Sequence, residues 1–410
     1  MLEQFKSQPW TTVVSLLLLA TIFFIPISSS LKSVFIVLST IGLLLTPTYR
    51  SKLLIVFSQP WCKATLLLFI TLLLACLWSP SSYHTQFLFI EKYSKLLYLP
   101  ILTTGFQNKK IRHVGLRVFL VAMFFICVLS IIKDIHQAGS ADRLFHDHIS
   151  TSFMMAFATY LSGLLAIKHS GTQRILYSLL VLVFSYQVLF VNSGRMGYVL
   201  YFMLMLLLLI QNLPVKYMIT GVLCLSTLFI VTAYQSTTFS NRLIEAKSDW
   251  NQYQHGIKNS SISGRIMFHQ YAKSLFLSSP WIGHGTGSFS LYFQKYNKVP
   301  TFNHLMEPHS QYWLIASETG LLGLAALFYF YLSLFLSALR LNEAKPIMLG
   351  LLVCFFISNF SDSQLLHSDV GYLFIVFSAL CLSELVFKPG FSRTKIRASN
   401  TNHIGLENVL

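Results

Sequence analysis

The sequence predicts an all-α polytopic membrane protein, and three observations predict it. Only 11% of the 410 residues are charged, against about 25% in a soluble domain. Leu-, Phe- and Val-rich runs recur at roughly the 17–20 residues that cross a hydrocarbon core as helix. These runs do not alternate apolar with polar, which excludes barrel strands.

Twelve spans are expected at roughly 11–28, 31–47, 64–79, 86–104, 114–133, 149–168, 174–192, 195–211, 215–234, 311–339, 346–361 and 369–387. The fourth is interrupted by Glu91, Lys92 and Lys95, which calls for a tilt or for charge buried against neighbours. The tenth is too long for a straight crossing. Four regions follow at about 1–234, 235–310, 311–387 and 388–410: a nine-helix bundle, a large outer loop, the last three helices and a basic tail. No cleavable leader is evident before the first span.

Orientation follows from Lys and Arg. With the N-terminus inside, the inner segments carry seventeen of them, and the short outer loops only Lys32, Lys133, Arg143 and Arg195. That bias puts both termini in the cytoplasm and the long loop outside. The same arrangement accounts for the formal charge of +16 without nucleic acid. The six cysteines lie in or beside apolar runs, so neither a disulfide framework nor a thiolate metal site is indicated.

The absences narrow the chemistry. There is no Asp-x-Asp pair to clamp a metal and nucleotide sugar, and no Walker loop. Gly283-His-Gly285-Thr-Gly287 lacks a surrounding βαβ unit and reads as a turn. What remains is cationic and imidazole side chains on the outer side. Arg195 opens a span, where an arginine is costly unless it is paired, working or snorkelling. Arg265 opens a helix in the long loop, where a solvated surface arginine is as natural a reading as a functional one. His309, just after Pro308, enters the tenth span; proline suits a first helical turn and would hold the imidazole at the surface. A histidine there can take a proton near neutral pH, though a lone interfacial histidine also serves structure. His304 and Glu307 are neighbouring alternates, and Glu318 is a buried partner for an arginine or is simply packed. Arg143 and His148 belong to another outer loop, whose His146-Asp147-His148 spacing could touch a metal but lacks further ligands. No metal and no cofactor are expected.

Three motifs in order carry a resemblance: Ser193-Gly-Arg195-Met-Gly197; Ser263-Gly-Arg265, followed by Ser279-Pro-Trp-Ile-Gly-His-Gly-Thr-Gly-Ser-Phe289; and Pro308-His309-Ser-Gln-Tyr-Trp-Leu314, followed by Ser317-Glu-Thr-Gly-Leu-Leu-Gly323. Arranged around one large outer loop, they resemble the O-antigen ligase and polymerase superfamily. The resemblance implies an inverting, GT-C-like, metal-independent glycosyltransferase that takes glycan from an undecaprenyl diphosphate carrier at the periplasmic face of a Gram-negative inner membrane. It implies diphosphate-binding arginines at Arg195 and Arg265 and an essential histidine at His309. Ser310 departs from the asparagine that often follows that histidine. The loop position, with few spans after it, favours a ligase with a lipid A–core acceptor. The alternatives are the superfamily's polymerases and protein O-oligosaccharyltransferases and, from another class, a flippase or transporter. The last would predict inverted repeats, which are not seen.

Overall fold

The computed structural model describes residues 9–136, 147–255, 260–296 and 306–387. Among the described residues every regular element is helical. α1 (Pro9–Phe24) and α2 (Ser29–Leu45) open the chain. The short α3 (Pro47–Arg50) and α4 (Leu53–Phe57) continue α2 after a bend of 84°, at Pro47. Then come α5 (Pro60–Leu74), α6 (Tyr83–Tyr93), α7 (Lys95–Gly105), α8 (Lys109–His136), α9 (His148–Lys168) and α10 (Gly171–Tyr186). α11 (Arg195–Asn212) and α12 (Val215–Gln235) complete the first bundle. The expected outer loop is itself largely helical: α13 (Thr237–Gln254), α14 (Ser261–Ser278) and α15 (Ser288–Tyr296). α16 (Gln311–Leu339), α17 (Lys345–Ser358) and α18 (Ser368–Val386) close the fold.

Eight of these helices are long and apolar enough to cross a membrane, or nine if the bent pair is one span. The expected twelve is therefore not reached by length and composition; α1 and α17 are apolar but shorter. The fourth expected span is broken at Ser94 into α6 and α7, of 11 residues each. At 1.5 Å per residue each is about 16 Å long, half of a hydrocarbon core. The interrupting charges explain the break. Glu91 and Lys92 are exposed, whereas Lys95 is buried and donates to the carbonyl of His367 at 2.7 Å.

α9 and α18 form the centre and are buried along most of their length, while α12 is almost wholly exposed. Leu, Ile and Val over the whole surface of α12 suit lipid rather than water. Where helices touch, small residues permit close approach. Gly350 of α17 lies against the ring of Tyr160, whose hydroxyl donates to Pro346 O at 2.7 Å.

One ionic contact positions the N-terminal end of α18. Lys32 of α2 is fully buried and pairs with Asp369 at 2.5 Å, and Ser29 donates to the same carboxylate oxygen at 2.8 Å. With the Lys95 contact, these tie α2 and α7 to the residues that lead into the candidate site.

Candidate active site

The first wall of the site is built at the α10–α11 junction. α10 ends in a π-helical turn, Gln187–Val191, and the chain reverses through Asn192, whose side-chain oxygen accepts from Gly194 N at 2.8 Å. The turn suits this place because π-bulges re-aim a helix end. Gly194 must be glycine: a Cβ there would sit 2.6 Å from Ser152 Oγ and 2.8 Å from His148 O. The start of α9 is therefore pressed against the start of α11, and Arg195, the first residue of α11, is directed toward α13. There it meets Glu245 and Asp249, both at 3.3 Å. α13 is anchored by Ser236, whose hydroxyl donates to Leu189 O at 2.7 Å, and by Phe239 edge-on to Tyr198.

The second wall is α14. Ser260 and Ser263 form a reciprocal capping box, which explains the serine in Ser263-Gly-Arg265. Arg265 follows in the second turn and is half-buried. Burial lowers its pKa; nearby Asp362 and Glu307 oppose this, and Arg195 reinforces it. A cleft of about 330 Å³ lies between the walls, lined by His148, Arg195, Arg242, Arg265 and Ser361, with Glu245 and Asp249 also on its surface. Three guanidinium groups thus face two carboxylates, leaving the cleft suited to an anion.

Behind Ser361 stands a histidine–carboxylate cluster. Asp362 is 1% exposed, and its Oδ1 lies 3.2 Å from His309 Nδ1, 3.0 Å from His367 Nε2 and 3.0 Å from the Ser363 backbone N–H. Glu307 lies 3.5 Å from the same nitrogen of His367. Because an ionised carboxylate only accepts, Nδ1 of His309 carries the hydrogen, leaving Nε2 with a lone pair. His309 has φ of +50°, a costly conformation for a side-chain-bearing residue. It is held on both sides. His269 Nε2 donates to its carbonyl at 3.3 Å, and Ser310 and Gln311 both bond to Asn359 O. Burial would raise the Asp362 carboxyl, but its hydrogen bonds with His309 and His367 and the charge of His367 outweigh it and hold it well below the carboxylate range. Burial would lower His367, but Asp362 and Glu307 raise it to about 11.

The raised and the lowered group have different pH windows. Stabilisation from His367 is complete below about pH 6.5, its ordinary value. It is then lost as pH climbs toward about 11. That from Asp362 is complete above the ordinary aspartate value of about 3.9 and is lost only as pH falls below it. The difference in thermal unfolding midpoint between wild type and His367→Gln should be largest near about pH 6 and shrink toward about pH 10. A constant difference over that range would contradict the assigned partners.

Three sequence-predicted residues, His148, Arg195 and Arg265, share the cleft. Two more, Glu307 and His309, belong to the adjoining cluster, with Arg265 within electrostatic reach. Glu318 does neither. It is fully buried, accepts from the backbone N–H of Phe289 at 3.4 Å, and its carbonyl accepts from Gly285 N at 2.7 Å. It fixes the glycine turn, in which Gly283, Gly285 and Gly287 all have positive φ, against α16. Arg143 and His304 lie outside the described residues. Pro308 is not in a first helical turn: α16 begins at Gln311 with Ser310 as its N-cap, so the rigidity of His309 comes from its partners instead. Ser310 caps well, since its hydroxyl accepts from the N–H of Trp313.

Sequence reasoning missed Asp362, His367 and the acids of α13. The signal for the first two was the polar Asp362–Ser368 link between the last two spans, an acid and a histidine in one short connection. Among the described residues, Glu307, His309 and Asp362 offer three ligand atoms within 4.8 Å of one another, a spacing open to one metal ion. His367 already sits between the two carboxylates, so an imidazolium meets the charge that an ion would neutralise.

No curated protein matches the chain. Residues 178–328 match the family model described as O-antigen ligase, a segment containing Arg195, Arg265 and His309 and ending before Asp362. The family itself is one of glycosyl-transfer enzymes acting on polysaccharide or lipid-linked substrates. This segment, a little over a third of the chain, is similar to the O-antigen ligase family and supports membership of that superfamily.

Proposed function

We propose that the protein is an O-antigen ligase, moving a polysaccharide from an undecaprenyl diphosphate carrier to the lipid A–core oligosaccharide on the periplasmic face. The observation that carries the reading is His309, its Nδ1 bound to buried Asp362, beside a cleft lined by Arg195 and Arg265. The acceptor hydroxyl oxygen attacks the anomeric carbon, and its proton passes to Nε2 of His309. The bond from that carbon to the diphosphate oxygen breaks, and the electron pair leaves with the carrier diphosphate. Attack opposite the leaving group inverts the anomeric centre. Charge develops on the departing phosphate, where two guanidinium forks stabilise it more than they stabilise the ground state. Without substrate, Glu245 and Asp249 occupy Arg195; the diphosphate replaces them.

Because arginine and an imidazolium supply all the positive charge in this scheme, transfer needs no divalent ion. The test is purified protein with carrier-linked glycan and core-only lipopolysaccharide, with and without a chelator. Equal rates are expected. Activity that vanishes in chelator and returns with added metal would move the catalytic cation to the Glu307–His309–Asp362 cluster and overturn the arginine mechanism.

A further inference from the structure

At the end of the bundle opposite the candidate active site, a second cavity of about 240 Å³ opens between the start of α8, the ends of α9 and α11, and the α16–α17 turn. Its lining is sorted along the helices. Arg112, His113 and Lys168 stand at the helix ends, and Leu116 and Leu164 lie one turn further in, facing Ile347 and Leu380. This is the profile of a site for an amphiphile with an anionic head.

The acids at its mouth do not cancel the cations. Glu384 is engaged by the turn itself, accepting from Asn342 N at 2.7 Å and Ala344 N at 2.9 Å. Glu343 is exposed and shared among Lys109, His113 at 3.4 Å and Lys168 at 3.9 Å. Arg112 donates from one terminal nitrogen to the carbonyls of Phe106 and Gln107, at 3.0 and 3.1 Å, which leaves its charge in place. Two permanent cations of the lining, Arg112 and Lys168, thus face two carboxylates, of which Glu384 is bonded to the turn's backbone and Glu343 is shared with Lys109 at the rim.

We infer that this cavity binds an anionic phospholipid, its phosphate at Arg112 and Lys168 and an acyl chain against Leu116, Leu164 and Leu380. The guanidinium fork matches phosphate oxygens, and basic pockets between helix ends on a cytoplasmic face are suited to acidic headgroups. On the orientation expected from the basic residues, the leaflet is the cytoplasmic one. The inference does not depend on the transferase reading.

The test uses full-length protein in bilayer discs of phosphatidylcholine with a minor share of phosphatidylglycerol, with retained lipid counted by native mass spectrometry. Wild type should retain phosphatidylglycerol in preference to phosphatidylcholine. Lys168→Gln should weaken that retention about fivefold, and Arg112→Gln with Lys168→Gln about 25-fold, at about 1 kcal/mol for each basic side chain. Lys168 is exposed, so the single variant remains informative if the double one fails to fold. Equal retention of the two lipids, or unchanged phosphatidylglycerol retention in Lys168→Gln, would overturn the site. Displacement of the bound lipid by millimolar glycerol phosphate would assign the site to a soluble phosphate and overturn the lipid reading.

Discussion

Asp362→Asn is expected to lower the rate of glycan transfer by roughly 10³–10⁴-fold while leaving the protein in the membrane. The substitution keeps the shape of the side chain and removes its acceptor-only character. An amide can donate to His309 Nδ1, which moves the ring hydrogen to Nε2, the atom that must take the proton from the acceptor. It also removes the negative charge that would stabilise the imidazolium as it forms. His309→Ala should cost a similar factor, and the double variant should be little worse than either single one, since the two groups act as a unit. Initial rates with saturating donor and acceptor, together with protein level in washed membranes, check this. Near-wild-type rates in Asp362→Asn would show that the carboxylate holds the loop and plays no part in proton transfer.

Arg265→Lys is expected to fail almost as completely as Arg265→Ala, each by roughly 10²–10³-fold in kcat. Lysine keeps the charge but offers no planar fork, and a half-buried ammonium at this position would be driven toward its neutral form by burial. Because the stabilised charge develops only as the diphosphate departs, kcat and kcat/KM should fall together. A rise in KM with kcat unchanged would place Arg265 in ground-state donor binding alone. Arg195→Ala should act in the same direction, with an added effect on α13, whose Glu245 and Asp249 lose a partner.

The all-helical, membrane-spanning character was legible because its signal is local: apolar length marks spans. The interruption of the fourth span was legible in Glu91, Lys92 and Lys95, but the partner of Lys95 was not: it is the His367 carbonyl, 272 residues away. No window of sequence contains that contact. Arg195, Arg265 and His309 were legible through motifs whose small residues have specific geometric roles, such as Gly194 against Ser152 and Ser263 in the α14 cap. Asp362 was not, because the orientation count weighed Lys and Arg and passed over the acid in the last link between helices. Glu318 drew notice as an acid inside a span, yet its buried carboxyl serves the backbone of the glycine turn. Burial of charge thus marks a demand for partners, and only the fold says whether the partner is substrate or chain.

We propose that this protein joins carrier-linked polysaccharide to a lipid A–core acceptor. The most direct measurement is a gel of lipopolysaccharide from cells lacking the gene, run beside an assay of carrier-linked glycan. The account predicts naked core with long polymer stranded on the carrier, restored to a ladder by wild type and not by Arg265→Lys. Core capped by a single repeat unit would instead assign polymerisation, and an unchanged ladder would contradict the account outright.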